Sequence, residues 1–128
     1  MYAAGREHPL RQPALQAVAS IGGGTLAAAT DVEVLQEILY RYLSLNQREF
    51  GFAIFDEFSE LMRGKVLPLD VDEVARARAL GAEFPRLEPR DLIHLAVMES
   101  NGIEEILSAD RHFDGIPGIR RLPLESFA

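Results

Sequence analysis

Two aspartates, Asp91 and Asp110, flank a helix-then-strand pattern in the stretch LEPRDLIHLAVMESNGIEEILSADRHFDG, residues 87–115. Asp91 falls in the first turn of the helix and Asp110 closes the strand. In parallel α/β sheets, sites form beyond the carboxyl ends of the strands, where the N-termini of neighbouring helices also point. Two carboxylates converging on one such rim repel each other unless a cation or a proton lies between them. The pair therefore reads as half of a divalent-metal site. Taken singly, each aspartate has a plainer role: Asp91 favours the positive end of a helix, and Asp110 starts a turn. His112 has the chemistry of a general base, although its turn-rich surroundings suit an exposed histidine.

The elements that must position these groups are legible around them. Glu88 and Pro89 open the helix, since proline is well placed in a first turn. Leu92, Ile93, Leu95, Ala96, Val97 and Met98 make it apolar nearly all round, which predicts a buried helix. Asn101-Gly102 stops it, because both residue types accept the left-handed conformation past a helix end. Residues 103–109 follow as a strand, with Ile106, Leu107 and Ala109 inside.

Upstream, His8-Pro9 starts a first helix lined by Leu10, Ala14, Leu15, Ala17, Val18 and Ile21, and three glycines, 22–24, end it. That triplet lacks the Gly-Lys-Ser/Thr of a phosphate loop and follows a helix instead of opening one, so it is a connector. Residues 25–29 are expected to be a strand. Thr30 or Asp31 caps the next helix, which runs to about Ser44. Residues 46–63 form a third helix whose Phe50, Phe52, Phe55 and Phe58 suit either a core or a partner surface. Residues 65–69 read as an edge strand cut short by Pro68, and Asp70 or Asp72 caps a helix over 71–80 that Gly81 ends. Residues 111–118 are turn-rich, 119–122 form a last strand, and 123–128 are a surface tail. Helices alternating with short strands predict an α/β class, a three-layer α/β/α sandwich with a short parallel sheet.

Composition narrows the function. With 48% hydrophobic and 26% charged residues, 128 residues make one globular domain. The absence of cysteine excludes a disulfide scaffold and fits a reducing, cytoplasmic setting. No apolar run reaches the ~20 residues of a membrane span, and the first residues lack the apolar core of a signal peptide. A net charge of −7 argues against gripping nucleic acid by bulk electrostatics. It leaves open a nuclease whose clustered carboxylates a metal neutralises.

The pattern PRDLIHLAVMESNGIEEILSADRHFDGIPG resembles the C-terminal half of a PIN domain, in particular the small toxin-type nucleases of the VapC kind. In that family an Asp begins the penultimate helix, and a strand ends in Thr- or Ser-x-Asp, followed by an aromatic and often another Asp. Those positions are Asp91, Ser108, Asp110, Phe113 and Asp114. The family also carries an inward Glu on the helix after its second strand, just before an aliphatic pair; here TDVEVLQEILYRY offers Glu37 before Ile38-Leu39. Helical periodicity alone sets Glu37 toward the polar side, where an i,i+4 pair with Arg41 is the simpler reading. The family pattern opens with a strand ending in Asp-Thr-Asn, and MYAAGREHPLR resembles the phrase that follows it. A single PIN-like domain over residues 1–128, lacking that first strand and its Asp, is therefore expected.

The resemblance implies a metal-dependent endoribonuclease, the toxin of a toxin–antitoxin pair. Glu37, Asp91 and Asp110 would hold Mg²⁺ or Mn²⁺, with Asp114 contributing through a water. Ser108 would orient a ligand or bind the metal's water, while Arg90 and Arg111 would contact substrate phosphate. It also implies an antitoxin partner and a homodimer built on the first helix and the aromatic helix. The alternative is a PIN-like binding module that keeps the antitoxin or dimer surface without catalysis. A phospho-accepting receiver domain needs a Lys beyond its last strand, whereas the only Lys here, Lys65, begins a middle one.

Overall fold

A computed structural model describes residues 9, 11–24 and 26–127. The chain's opening, on which the expectation of a lacking first strand rests, lies outside them, as do His8, Leu10 and Thr25. The elements fall into two units, one reaching to Val66 and including the C-terminal turn, the other spanning Leu67–Pro123.

The first unit contains α1 (Arg11–Gly22), β1 (Thr30–Asp31), α2 (Val32–Ser44) and α3 (Arg48–Leu61), with a 3₁₀ turn at Leu124–Phe127 that packs against α1. Asp31 caps α2, its Oδ1 accepting a hydrogen bond from Val34 N at 3.1 Å. Asn46, at φ 60°, turns the chain between α2 and α3. The two helices then come close because position 51 is a glycine. A Cβ there would lie 2.5 Å from Tyr42 Cβ, an atom fixed to its backbone. The Tyr42 ring meets Phe50 edge-on at 5.3 Å, a preferred aromatic geometry. Ile38, Tyr42 and Met62 are buried, with Ala14 and Ala17 of α1. Thr30 N donates to Lys65 O at 2.9 Å, next to β2 (Val66–Leu67), the strand within which the two units divide.

The second unit contains α4 (Val71–Glu83), α5 (Pro89–Ser100), β3 (Glu105–Leu107), a 3₁₀ turn (Arg111–Phe113) and β4 (Arg120–Leu122). Asp70 and Glu73 form a capping box at the start of α4, satisfying otherwise unpaired amides of the first turn. Helix α4 packs along α5, burying Ala77 and Leu80 with Leu95, Ala96 and Met98, and Phe113 and Ile116 close the cluster. An exposed ion pair, Arg76 Nε to Glu99 Oε1 at 2.9 Å, spans the two helices. Strands β3 and β4 run parallel, with Ile106 opposite Arg121 and Leu107 opposite Leu122.

Several expectations change in physical detail. Residues 26–29 are loop, and the strand is the pair Thr30–Asp31 that the cap reading had assigned to the helix start. Ala-rich sequence gives little pleated packing to hold a strand. Gly81 does not end α4, which continues to Glu83. It serves close approach instead, since a Cβ there would meet Leu92 Cδ1 of α5 at 3.2 Å. Residues 123–128 are not a plain tail, because Leu124–Phe127 form a 3₁₀ turn. Helix α5 and its stop hold as expected: Asn101 caps it and Gly102 takes φ 65°. No helix among the described residues is long and apolar enough to cross a membrane.

Candidate metal centre

Asp91 and Asp110 do converge, and His112 joins them. One ligand atom from each lies within 4.8 Å of the others. Each is positioned by a local device that the sequence encodes. Pro89 sets the first turn of α5, and Glu88 N donates to Asp91 Oδ2 at 3.2 Å, which restrains the carboxylate. It is 4% exposed. Asp110 follows β3, its backbone N donating to Ser108 Oγ at 3.0 Å. Its Oδ1 accepts from His112 N at 2.8 Å and lies 3.2 Å from His112 Nδ1. Phe113, buried at the end of the turn, anchors it in the core.

Electrostatics mark the same place. Burial raises the Asp91 carboxyl above the usual carboxylate range, the Glu88 amide opposes that shift, and the charge of Asp110 adds to it. Desolvation thus outweighs the carboxylate repulsion expected from the sequence. A cation would offset both, because it restores a favourable field to a desolvated anion. The donor set fits a hard divalent cation. Each carboxylate keeps a second oxygen, the ligand type that Mg²⁺ and Mn²⁺ prefer. The imidazole of His112, with its exposed side chain, faces Asp110 from the solvent side.

The other sequence candidates distribute as follows. Glu37 stands on α2 in the first unit, half-buried beside the buried Ile38. Ser108 holds the Asp110 amide, as above. Arg111 is exposed on the 3₁₀ turn between Asp110 and His112. Arg90 is exposed in the first turn of α5, its Nη2 3.5 Å from Glu88 Oε2. Asp114 is engaged by Arg121, whose Nε donates to Oδ1 at 2.7 Å and whose Nη2 donates to Oδ2 at 3.4 Å. That hydrogen-bonded guanidinium holds the Asp114 carboxyl below its usual range.

Two residues were undervalued by sequence reasoning. His112 is exposed, as its turn setting suggested, yet the Asp-x-His spacing brings both its amide and its ring to Asp110; that spacing was the available signal. Arg121 carries no local signal, since its partners Ser108 and Asp114 are brought to it by the pairing of β3 with β4.

Comparison with known proteins extends the picture. The PIN domain family model matches residues 1–119, running through both units. The chain is 38% identical over 122 residues to VapC ribonuclease Mb1869c of Mycobacterium bovis, covering 95% of this chain and 92% of that protein. Ribonuclease VapC13 of Mycobacterium tuberculosis matches to the same extent. Ribonuclease VapC23 of Mycobacterium tuberculosis is 33% identical over 112 residues, 86% of each chain. No solved structure gives a significant match.

Proposed function

Since the chain belongs to the PIN-domain family, with VapC ribonucleases among its relatives, we propose that it is a divalent-metal-dependent endoribonuclease. In this reading it is the toxin of a toxin–antitoxin pair and cleaves RNA phosphodiester bonds in the cytoplasm. The observation that carries the reading is the convergence of buried Asp91 with Asp110 and His112, a concentration of negative charge that a bound cation would stabilise. Asp91 and Asp110 would hold the cation, Mg²⁺ or Mn²⁺, and Glu37 is the further ligand that the family resemblance implies. When bound, such an ion supplies an activated water and charge neutralisation at the phosphate.

The chain's own residues do the rest. Glu88 N fixes one oxygen of Asp91, and the Ser108 hydroxyl with the His112 amide fixes Asp110, so the carboxylates are oriented before any ligand arrives. Arg90 and Arg111 stand exposed next to these carboxylates in sequence and contact phosphate oxygens of the RNA. With a net charge of −7, the surface adds little general attraction for RNA, so binding depends on these few cations and weakens with salt. Tyr40, Leu45, Phe50 and Phe52 are exposed on and between α2 and α3. That apolar surface supports a protein partner, an antitoxin or a second copy of the chain. A PIN-like module without catalysis is less well supported, because Asp91 and Asp110 stand together and the relatives are named ribonucleases.

The test is cleavage of a labelled single-stranded RNA by the full chain in Mn²⁺ or Mg²⁺ against EDTA. Cleavage should require metal, and Asp110→Asn or Glu37→Gln should lower it by about a hundredfold or more, the scale of losing a charge-stabilising group. Cleavage that persists in EDTA, or none in either metal, would sink the reading.

A further inference from the structure

The carboxylate-bearing loop is fastened by a residue outside the ligand set. We propose that Arg121 is a positioning residue, whose guanidinium grips residues 108–114 at both ends and thereby sets the direction in which Asp110 faces the cation. The proposal rests on the nuclease reading above.

Arg121 stands in β4, opposite Ile106 of β3, on the strand paired with the one that delivers Asp110. Its Nη1 donates to Ser108 O at 3.0 Å, where the loop leaves β3. Its Nε and Nη2 donate to Asp114 Oδ1 and Oδ2, where the 3₁₀ turn ends. Between these points, Ser108 Oγ accepts from Asp110 N and Asp110 Oδ1 accepts from His112 N. Hydrogen bonds thus run from the guanidinium to each end of the loop and on to the ligand at its middle. The Arg121 side chain is only 12% exposed. Strand pairing by itself does not call for a charge there, since an apolar or β-branched residue packs better on a pleated surface. Bracketing the loop needs a planar fork, which arginine has and lysine lacks. Both oxygens of Asp114 accept from this fork, which makes Asp114 the far anchor of the loop.

Outer-shell groups that orient ligands commonly account for about 10- to 100-fold in metal affinity, and the test reads that factor. Mn²⁺ dissociation constants, measured from the electron paramagnetic resonance of free Mn²⁺, are compared for the full-length wild type, Asp114→Asn, Arg121→Gln, Arg121→Lys and the double variant Asp114→Asn/Arg121→Gln. Thermal melts in EDTA accompany them. Arg121→Gln should weaken Mn²⁺ about tenfold or more, Arg121→Lys should not rescue it, and Asp114→Asn should weaken it by a smaller factor. In the double variant, Asp114→Asn should add almost nothing. Independent, additive losses would mean that Asp114 acts on the cation by itself, which overturns the proposal. So would variants that melt earlier yet bind Mn²⁺ as wild type does. If Arg121→Gln does not fold, Arg121→Lys takes its place in the cycle with Asp114→Asn, whose half-exposed side chain can change without disturbing the core. A wild type that binds no Mn²⁺ overturns the nuclease reading itself. A wild type that binds while every variant binds equally overturns only the role of Arg121.

Discussion

At the entrance of α2, Asp31 is 6% exposed and its Oδ1 accepts from Val34 N at 3.1 Å. At the entrance of α5, Asp91 is 4% exposed and its Oδ2 accepts from Glu88 N at 3.2 Å. These are the buried charged residues among those described, and both place a carboxylate where the helix end favours it. The surroundings separate them. Asp31 is the cap itself and directs its oxygen into the first turn of its own helix. Asp91 lies one turn further in, and Asp110 and His112 close on it from the loop after β3. Burial and a capping bond are therefore not a site; a second carboxylate brought in from another element is what changes the chemistry.

The largest test of that contrast is metal. If Asp91 is a ligand and Asp31 a cap, Mn²⁺ at about 100 times its dissociation constant should stabilise the wild type by about 2.7 kcal/mol. Asp31→Asn should keep nearly all of that gain and Asp91→Asn should lose most of it, as read from thermal melts with and without Mn²⁺. Equal losses in the two variants would erase the distinction.

In EDTA the signs should reverse. Asp31→Ala removes a capping oxygen and should cost about 1 kcal/mol in urea unfolding. Asp91→Asn should instead raise the midpoint, because its amide oxygen can still accept from Glu88 N while the desolvated charge is gone. The pH dependence follows from the raised Asp91 carboxyl, whose main cause is burial. Between the ordinary value of 3.8 and the raised one, the folded state binds more protons than the unfolded, so stability falls as pH rises through that window. Urea melts of metal-free protein should show the advantage of Asp91→Asn over wild type growing as pH increases from about 4. An advantage that shrinks would contradict burial as the cause.

The smallest effect belongs to Arg76→Ala, which breaks the exposed pair with Glu99 between α4 and α5. Solvent screening leaves such an exposed pair little weight, so the loss should be small and the same with and without Mn²⁺. A change in Mn²⁺ affinity would show that the Asp91 helix depends on its neighbour more than its cap suggests.

What could be read from the sequence was local. Helix α5, its Pro89 start and its Gly102 stop depend on residues within a turn of each other and were legible, as were the Asp31 and Asp70 caps, each as one of two neighbouring candidates. The two aspartates converge as expected, although β3 ends at Leu107 and Asp110 lies in the loop beyond it, not at the strand's last residue. The strand at 30–31 was not read, since its hydrogen bond goes to Lys65, far along the chain. Gly81 was misread as a stop because the reason for a glycine there is Leu92, a side chain on another helix. Arg121 was missed for the same reason: its partners depend on the register of β3 with β4. Glu37 was selected by resemblance, against its helical periodicity.

The parallel ladder of β3 with β4 is three residues long, and the loop bearing Asp110 begins at its end. So short a ladder has few backbone bonds to break, so it can open locally while α4 and α5 remain folded. Amides of residues 106–114 should then exchange with deuterium faster than those of α5, and a protease should find this segment before it finds a helix. A cation bridging Asp91 and Asp110 would close that route, tying the loop to the most buried helix of its unit. A bound ion would then also slow proteolysis of this segment.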